Sequence, residues 1–345
     1  MECFDTIDAL AGALGKRAES NDADAGFCRD ILEENRGMLE YLRLLEKTNP
    51  CRQRYFLDQS TVVISYEACW VLFSIGKLAF KFRYRVIVMP VSLSNPGCLV
   101  AKCDDGSRAA LPGLLKRLAD SLKGLTIVLN TDAPICGMRM APPTYVFYNR
   151  FSSFDGYLAA LRSSYRRKFS AVLEKGKHMQ YARLGKDGFT EEHYKLYLSV
   201  CGRAAMVFRI LPFDYFKCCS TDIFEARDGA GRLAAFVQLR EIDRVLYFVY
   251  VGFGSGDGCG AQGPGMADLY YNLLLFIIRH GIENGCRKIV FGQTSDESKS
   301  KVGCTMEPRY MYITSSNPLI RLFFRLFPGF PSFRPHGVRY HVFKE

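Results

Sequence analysis

Twice along this chain, β-rich segments follow one another at spacings too short for a helical crossover, and that pattern limits the fold more than any other feature. The first run holds 61–66, 70–75, 78–82 and 85–90, joined by short turns that contain Gly76 or basic residues. The second holds 222–226, 233–241 and 244–252, with the turn-forming Arg227-Asp228-Gly229-Ala230-Gly231 between its first two members. Strands joined this tightly pair antiparallel, because a parallel pair needs a connection of a dozen or more residues. Each run therefore reads as a meander. Helical spacing precedes each: Ile7, Leu10 and Leu14, then Ile31, Leu32, Leu39 and Leu42 before the first, and 157–175 with 191–204 before the second. One helix and further strands follow each: 111–122, 125–130 and, after a Pro-rich break at 134–143, 144–148 in the first half. In the second half these are 266–284, 288–292 and 309–314. The order repeats although no residue-level repeat is visible. The expectation is an α/β (α+β) protein of two tandem domains, 1–150 with a helical N-terminal segment and 151–345, each a mixed, largely antiparallel sheet flanked by helices.

Composition sets the class. With 345 residues, 48% hydrophobic and 23% charged, the chain buries a full core and is neither disordered nor fibrous. The balance of 46 basic against 35 acidic residues, +11 in all, calls for a surface that faces anions: phosphate, nucleic acid or anionic lipid. The 13 cysteines have no regular spacing and residues 1–8 show no leader pattern, so the expected compartment is the reducing cytoplasm. Apolar runs such as 245–253 and 273–278 fall short of the roughly 20 residues that cross a bilayer.

Chemistry concentrates in the second half. Between the strand that ends near Gly252 and the helix that starts near Met266 lies a glycine-rich loop, and a helix N-terminus after such a loop offers free N–H groups and a positive dipole end to a phosphate. Within it, Gln262-Gly263-Pro264-Gly265-Met266-Ala267 fits Gln/Arg-x-x-Gly-x-Gly/Ala. That pattern resembles the pyrophosphate loop of acyl-CoA-dependent GNAT acyltransferases, which implies that Gln262, Gly263, Gly265 and Ala267 hold the donor. Residues 254–260 add loop that compact members of that superfamily lack. Downstream, Gly292-Gln293-Thr294-Ser295-Asp296-Glu297-Ser298-Lys299 is followed by Gly303, Pro308 and Tyr310. This block, with the basic helix that begins at Tyr157-Leu158, resembles the Fem-type peptidoglycan aminoacyltransferases, a GNAT-like group; Gln293 stands where that group usually has Arg.

The resemblance implies transfer of an acyl group to a small-molecule or peptide amine by direct attack, with acyl-CoA (acetyl-CoA in the simplest case) as donor and no metal. Gln293, Thr294, Glu297 and Lys299 are the expected substrate-binding residues. Glu241 and Asp243 at a meander turn, with Tyr247 and Tyr250 on the strand, are candidates to relay the amine proton, and Tyr310 is the candidate acid. Glu241, Tyr250 and Tyr310 form the expected catalytic set. Two alternatives stand beside this. One is an aminoacyl-tRNA donor serving a cell-wall or lipid-linked precursor, with tRNA bound on the basic face of Arg162, Arg166, Arg167, Lys168, Lys175 and Lys177. The other is a degenerate fold kept for binding alone. Residues 318–327 alternate Leu, Ile and Phe with Arg321 and Arg325, the pattern of a helix packed on the C-terminal domain or, as the alternative, of one resting at the inner face of a membrane. Isolated cysteines such as Cys286 and Cys304 read as small core residues, and His336 with His341 as poor metal spacing.

Overall fold

Helix formation begins where the sequence supplies a cap. Thr6 accepts a hydrogen bond from the Ala9 N–H (3.2 Å), and Ile7, Leu10 and Leu14 of α1 (Ile7–Ala18) are fully buried. The computed structural model describes residues 1–20, 25–48, 51–58, 61–75, 78–88, 98–100, 105–132, 134, 137–203, 210–254, 265–327, 333 and 340–344. They divide into two units, Met1–Pro143 with Pro308–His336, and Thr144–Glu307 with Gly337–Glu345.

The first unit opens with β1 (Glu2–Phe4), α1, α2 (Ala25–Glu34) and α3 (Arg36–Thr48). A meander of β2 (Gln53–Asp58), β3 (Thr61–Ile75) and β4 (Leu78–Ile87) follows, with the short β5 (Cys98–Val100) on β3. Helix α4 (Asp105–Ser121) crosses over to β6 (Leu125–Thr131), which pairs parallel with β4. Leu114, Leu115, Leu118 and Ala119 on one face of α4 pack on Phe56, Val63, Ile87 and Val128. The strands expected over 61–90 are thus two long ones instead of four short ones. Residues 67–69 and 83–84 that read as turns continue the ladder, Ala68 opposite Tyr84 and Cys69 opposite Arg83, beside an ion pair between Glu67 and Arg85 (2.7 Å).

The second unit repeats that order. It takes residues 144–148 of β7 (Arg139–Tyr148), then α5 (Phe154–Ala160), α6 (Ser163–Lys175), the short β8 (Gln180–Arg183), α7 (Glu191–Arg203) and α8 (Phe213–Cys218). The meander of β9 (Ile223–Arg227), β10 (Leu233–Ile242) and β11 (Val245–Phe253) leads through α9 (Met266–Glu283) to β12 (Lys288–Gly292), parallel to β11. α10 (Asp296–Lys301) completes it. β12 is flanked on its other side by antiparallel β7, just as β6 in the first unit is flanked by antiparallel β13 (Thr305–Ser315), which runs on to α11 (Pro318–Leu326). A division at 150 places 308–336 with the second half, whereas these residues cluster with the first unit.

Two expectations are corrected here. Residues 157–175 are two helices, because Leu161 leaves helical geometry (φ −66°, ψ 144°) to bridge Phe343, and the Arg162 N–H donates to the Val342 carbonyl (2.9 Å). The Pro-rich stretch is no break at its end: β7 starts at Arg139 and runs through Pro142 and Pro143, whose fixed φ suits extended backbone.

The core of the second unit is α9. Leu273, Leu274, Leu275, Ile277 and Ile278 are all fully buried, against Phe169 and Val172 of α6 and Ile289 and Phe291 of β12. Close seating on the sheet needs Gly281: a Cβ there would lie 2.6 Å from Ile289 Cδ1 and 2.9 Å from its Cγ1. Gly281→Ala is expected to cost about 1–2 kcal/mol. Adding Ile289→Val, which removes the nearer carbon, should make the double variant more stable than the sum of the singles in urea unfolding; strict additivity would show that the two sites do not touch.

Candidate functional site

β11 and β12 pair only where they start. Val245, Leu246 and Tyr247 lie opposite Lys288, Ile289 and Val290, and the ladder ends there although β11 runs on to Phe253. A β-bulge accounts for the parting. On the other side of β11, Gln238 faces Tyr250 while Leu239 faces Phe248, so Val249 is the extra residue. A bulge bends its strand and raises its twist, and such irregularities re-aim backbone groups beside ligand sites.

The end of β12 borders this opening and carries the unit's most unusual side chain. Gly292 turns with φ +78° and Ser295 with φ +63°, the latter a left-handed conformation that a non-glycine residue adopts only where its surroundings hold it. α10 then carries Lys299 inward. Lys299 is 2% exposed, forms neither an ion pair nor a hydrogen bond among the described residues, and has its Nζ 4.0 Å from where a Gly292 Cβ would stand. Burial lowers its pKa to about 8, against a smaller upward pull from the Cys304 thiol and Asp296. Around it stand Tyr145 and Tyr270; burial pushes both phenols up to about 12, and nearby Asp296 adds to the rise at Tyr145. The Cys304 thiol is pushed well above its ordinary value by burial, so it is protonated and unreactive. A buried ammonium without a counter-ion is costly for the fold and is a place where a ligand's negative charge is strongly favoured.

The expected site residues divide. Gln293 is half-buried and Thr294 exposed on the segment between β12 and α10, next to Lys299 in the fold. Glu297 is exposed and paired with Lys301 one turn on, so it faces away from Lys299. Gly265 is the N-cap residue of α9 with open space around it, and Ala267 is exposed on the first turn; Gln262 and Gly263 lie outside the described residues. Tyr250 is half-buried on the stretch of β11 that pairs with β10 but not with β12, its ring 5.7 Å from Phe216 and 5.9 Å from Tyr197. Glu241 is exposed beside the β10–β11 turn, opposite Leu246. Leu246 pairs with Ile289, three residues before Gly292, so Glu241 lies about 10 Å back along the sheet from the opening. Tyr310 belongs to the first unit, opposite Thr131 of β6. Asp296, Tyr145 and Tyr270 are the members that sequence reading passed over, and Cys304 reads from the sequence as a small core residue.

The basic face of α6 reaches this region. Lys168 stands 3.9 Å from the Tyr271 ring centroid and acts electrostatically on Glu297 of α10. Among the described residues no group of His, Cys, Asp and Glu gathers that would hold a metal ion, and no helix is long and apolar enough to cross a membrane.

No family model matches the chain, and no curated protein does. Among the solved structures that match over most of its length are L-PGS and FemX. L-PGS from Bacillus licheniformis does so at 13% identity and a TM-score of 0.50, over 86% of this chain and 95% of that one. FemX does so at 12% identity and a TM-score of 0.50, over 94% of this chain and all of the other. Identity this low speaks for the fold alone. With a meander, a crossover helix, a parallel strand and an antiparallel neighbour in each of two units, the chain shares the fold of these two structures.

Proposed function

We propose that this chain is an acyltransferase that moves an acyl group to an amine by direct attack, in the second unit. The observation that carries the reading is Lys299, a buried cation without a hydrogen-bond or ion-pair partner among the described residues, at the mouth of the opening between β11 and β12. The amine nitrogen attacks the acyl carbon, the carbonyl oxygen takes up negative charge, and the C–S or C–O bond to the donor breaks as the amine proton passes to the leaving group. Backbone groups of β11 beyond Tyr247 and the Lys299 ammonium lie where an oxyanion or the donor's anionic part would be held. The N-terminus of α9 at Gly265 suits donor phosphates.

Acyl-CoA is the donor we favour, and aminoacyl-tRNA the alternative. The specific support for tRNA is the basic face of α6, whose Lys168 adjoins α10. The two predict different titrations. Acetyl-CoA at millimolar concentration is expected to raise the melting temperature by several degrees, and Gly265→Leu, which meets nothing within 4 Å of its first added carbon, should weaken that shift without lowering the ligand-free melting temperature. No shift with acetyl-CoA, together with tRNA binding that weakens steeply with salt, would transfer the reading to the tRNA donor.

A further inference from the structure

The last helix presents its apolar side to solvent. In α11, Leu319, Leu322, Phe323 and Leu326, followed by Phe327, recur at i, i+3, i+4, i+7 and i+8 and so share one face. All five are exposed, from 45% for Phe323 to 75% for Leu319, and no residue of the helix is buried. Such a face is ordinarily the one a helix turns to the core.

Here the core contact is made by a different edge. Ile320 and Phe324, the only half-buried members, seat α11 on the first unit. Arg139 fixes that seat, with its guanidinium 5.5 Å from the Phe324 ring centroid and a hydrogen bond to the Phe324 carbonyl. The helix is also held at its start, where Asn317 accepts from the Leu319 N–H (2.9 Å) and the Ile320 N–H (3.4 Å) and Pro318 occupies the first turn. The five-residue apolar face is therefore carried on a capped, anchored helix.

Charge selects what covers it. Arg321 and Arg325 are both exposed on the flank of the helix away from the apolar face, one turn apart, and no acidic residue occurs in 318–327. The chain as a whole carries +11. Long arginine stems beside Leu and Phe are what an interfacial helix uses, with the apolar face among acyl chains and the cations reaching up to headgroup phosphates. We infer that α11 docks the protein on an anionic lipid surface, with Leu319, Leu322, Phe323, Leu326 and Phe327 inserted and Arg321 and Arg325 at the phosphate level. Anionic lipid is favoured over an apolar protein groove because the partner must supply negative charge along the same short helix.

The test needs no catalysis. The full chain is sedimented with vesicles of phosphatidylglycerol and phosphatidylcholine, and with phosphatidylcholine alone. Binding to the anionic vesicles is expected to exceed binding to neutral ones at least tenfold and to fall as salt rises. Leu322→Glu with Phe323→Glu should reduce it at least tenfold with an unchanged melting temperature, since both side chains are exposed in the folded protein. Leu322→Trp adds a fluorescent reporter whose emission should shift to the blue on anionic vesicles alone. Equal binding to neutral vesicles, binding that survives the double substitution, or a chain that dimerises through this face and ignores vesicles would each overturn the proposal.

Discussion

Lys299→Met is expected to lower kcat/KM for acyl transfer by about 10²–10³-fold, the usual cost of removing a preorganised charge from a reacting oxyanion. It should do so in a protein that is more stable near neutrality than the parent. The ammonium is buried without a counter-ion among the described residues, so its charge opposes folding wherever it is protonated. The unfolded chain holds that proton up to the ordinary lysine value of 10.5, and the folded chain releases it at about 8. Below pH 8 both states are protonated and the penalty is fully present; between 8 and 10.5 the unfolded state binds more protons, so the penalty is relieved as pH rises. The stability advantage of Lys299→Met, about 3 kcal/mol at most by this linkage, should therefore be largest below pH 8 and fade toward pH 10.5. Urea unfolding of the two proteins at pH 7 and pH 10 measures it, and taking their difference cancels the buried phenols and thiol, which titrate in both. Lys301→Met is the control: Lys301 is paired with Glu297 at the surface and should change stability by less than about 0.5 kcal/mol. Unchanged kinetics in Lys299→Met would remove the lysine from the mechanism.

The contrast between Lys299 and Lys301 also shows where sequence reading stops. Asp296-Glu297-Ser298-Lys299-Ser300-Lys301 is as polar as any solvated turn, and its legible part, Glu297 with Lys301 at i, i+4, is indeed at the surface. That the charge between them goes inward depends on Gly292 and Ser295 turning left-handed before the helix, and a serine gives no warning of that. Tyr145 and Tyr270 were hidden for a related reason: they converge on Lys299 from β7 and α9, and no spacing in the chain records that meeting. Glu241 was attractive because it sits at a meander turn, but the parallel pairing of β11 with β12 puts that turn at the opposite end of the strands from the opening. The second meander, α9 and the order of elements were legible because local periodicity and turn residues decide them. The places of β7 and β13 were not. Each lies antiparallel to a strand, β12 or β6, that is more than 130 residues distant in sequence, and an edge partner leaves no mark on a strand's own pattern.

Gly252→Ala is expected to destabilise the second unit by about 3 kcal/mol or more, with a fall of about 10 °C in its melting temperature. The reason lies in how α7 meets the sheet. A Cβ at Gly252 would stand 2.1 Å from Phe236 Cε1, 2.7 Å from its Cδ1 and 2.8 Å from the Tyr197 backbone nitrogen. A side-chain tip can swing aside, but the Tyr197 nitrogen belongs to α7 and yields only if the helix moves. Phe236 has little freedom either, since its ring meets Phe189 edge-on at 5.4 Å and Phe216 at 6.1 Å. Displacing that cluster reaches His193, whose Nδ1 accepts from the Thr190 N–H (3.2 Å) and whose Nε2 lies 3.2 Å from Glu225. Gly254→Ala provides the comparison two residues on, where the added carbon would meet only Leu196 Cδ2 at 3.4 Å and should cost under about 0.5 kcal/mol. Because the stretch of β11 that borders the opening is the stretch on which α7 rests, Gly252→Ala should also lower transfer activity at temperatures where the variant is still fully folded. Were the two alanine variants equally stable, α7 would not approach β11 this closely, and the support that holds the bulged strand in place would have to come from elsewhere.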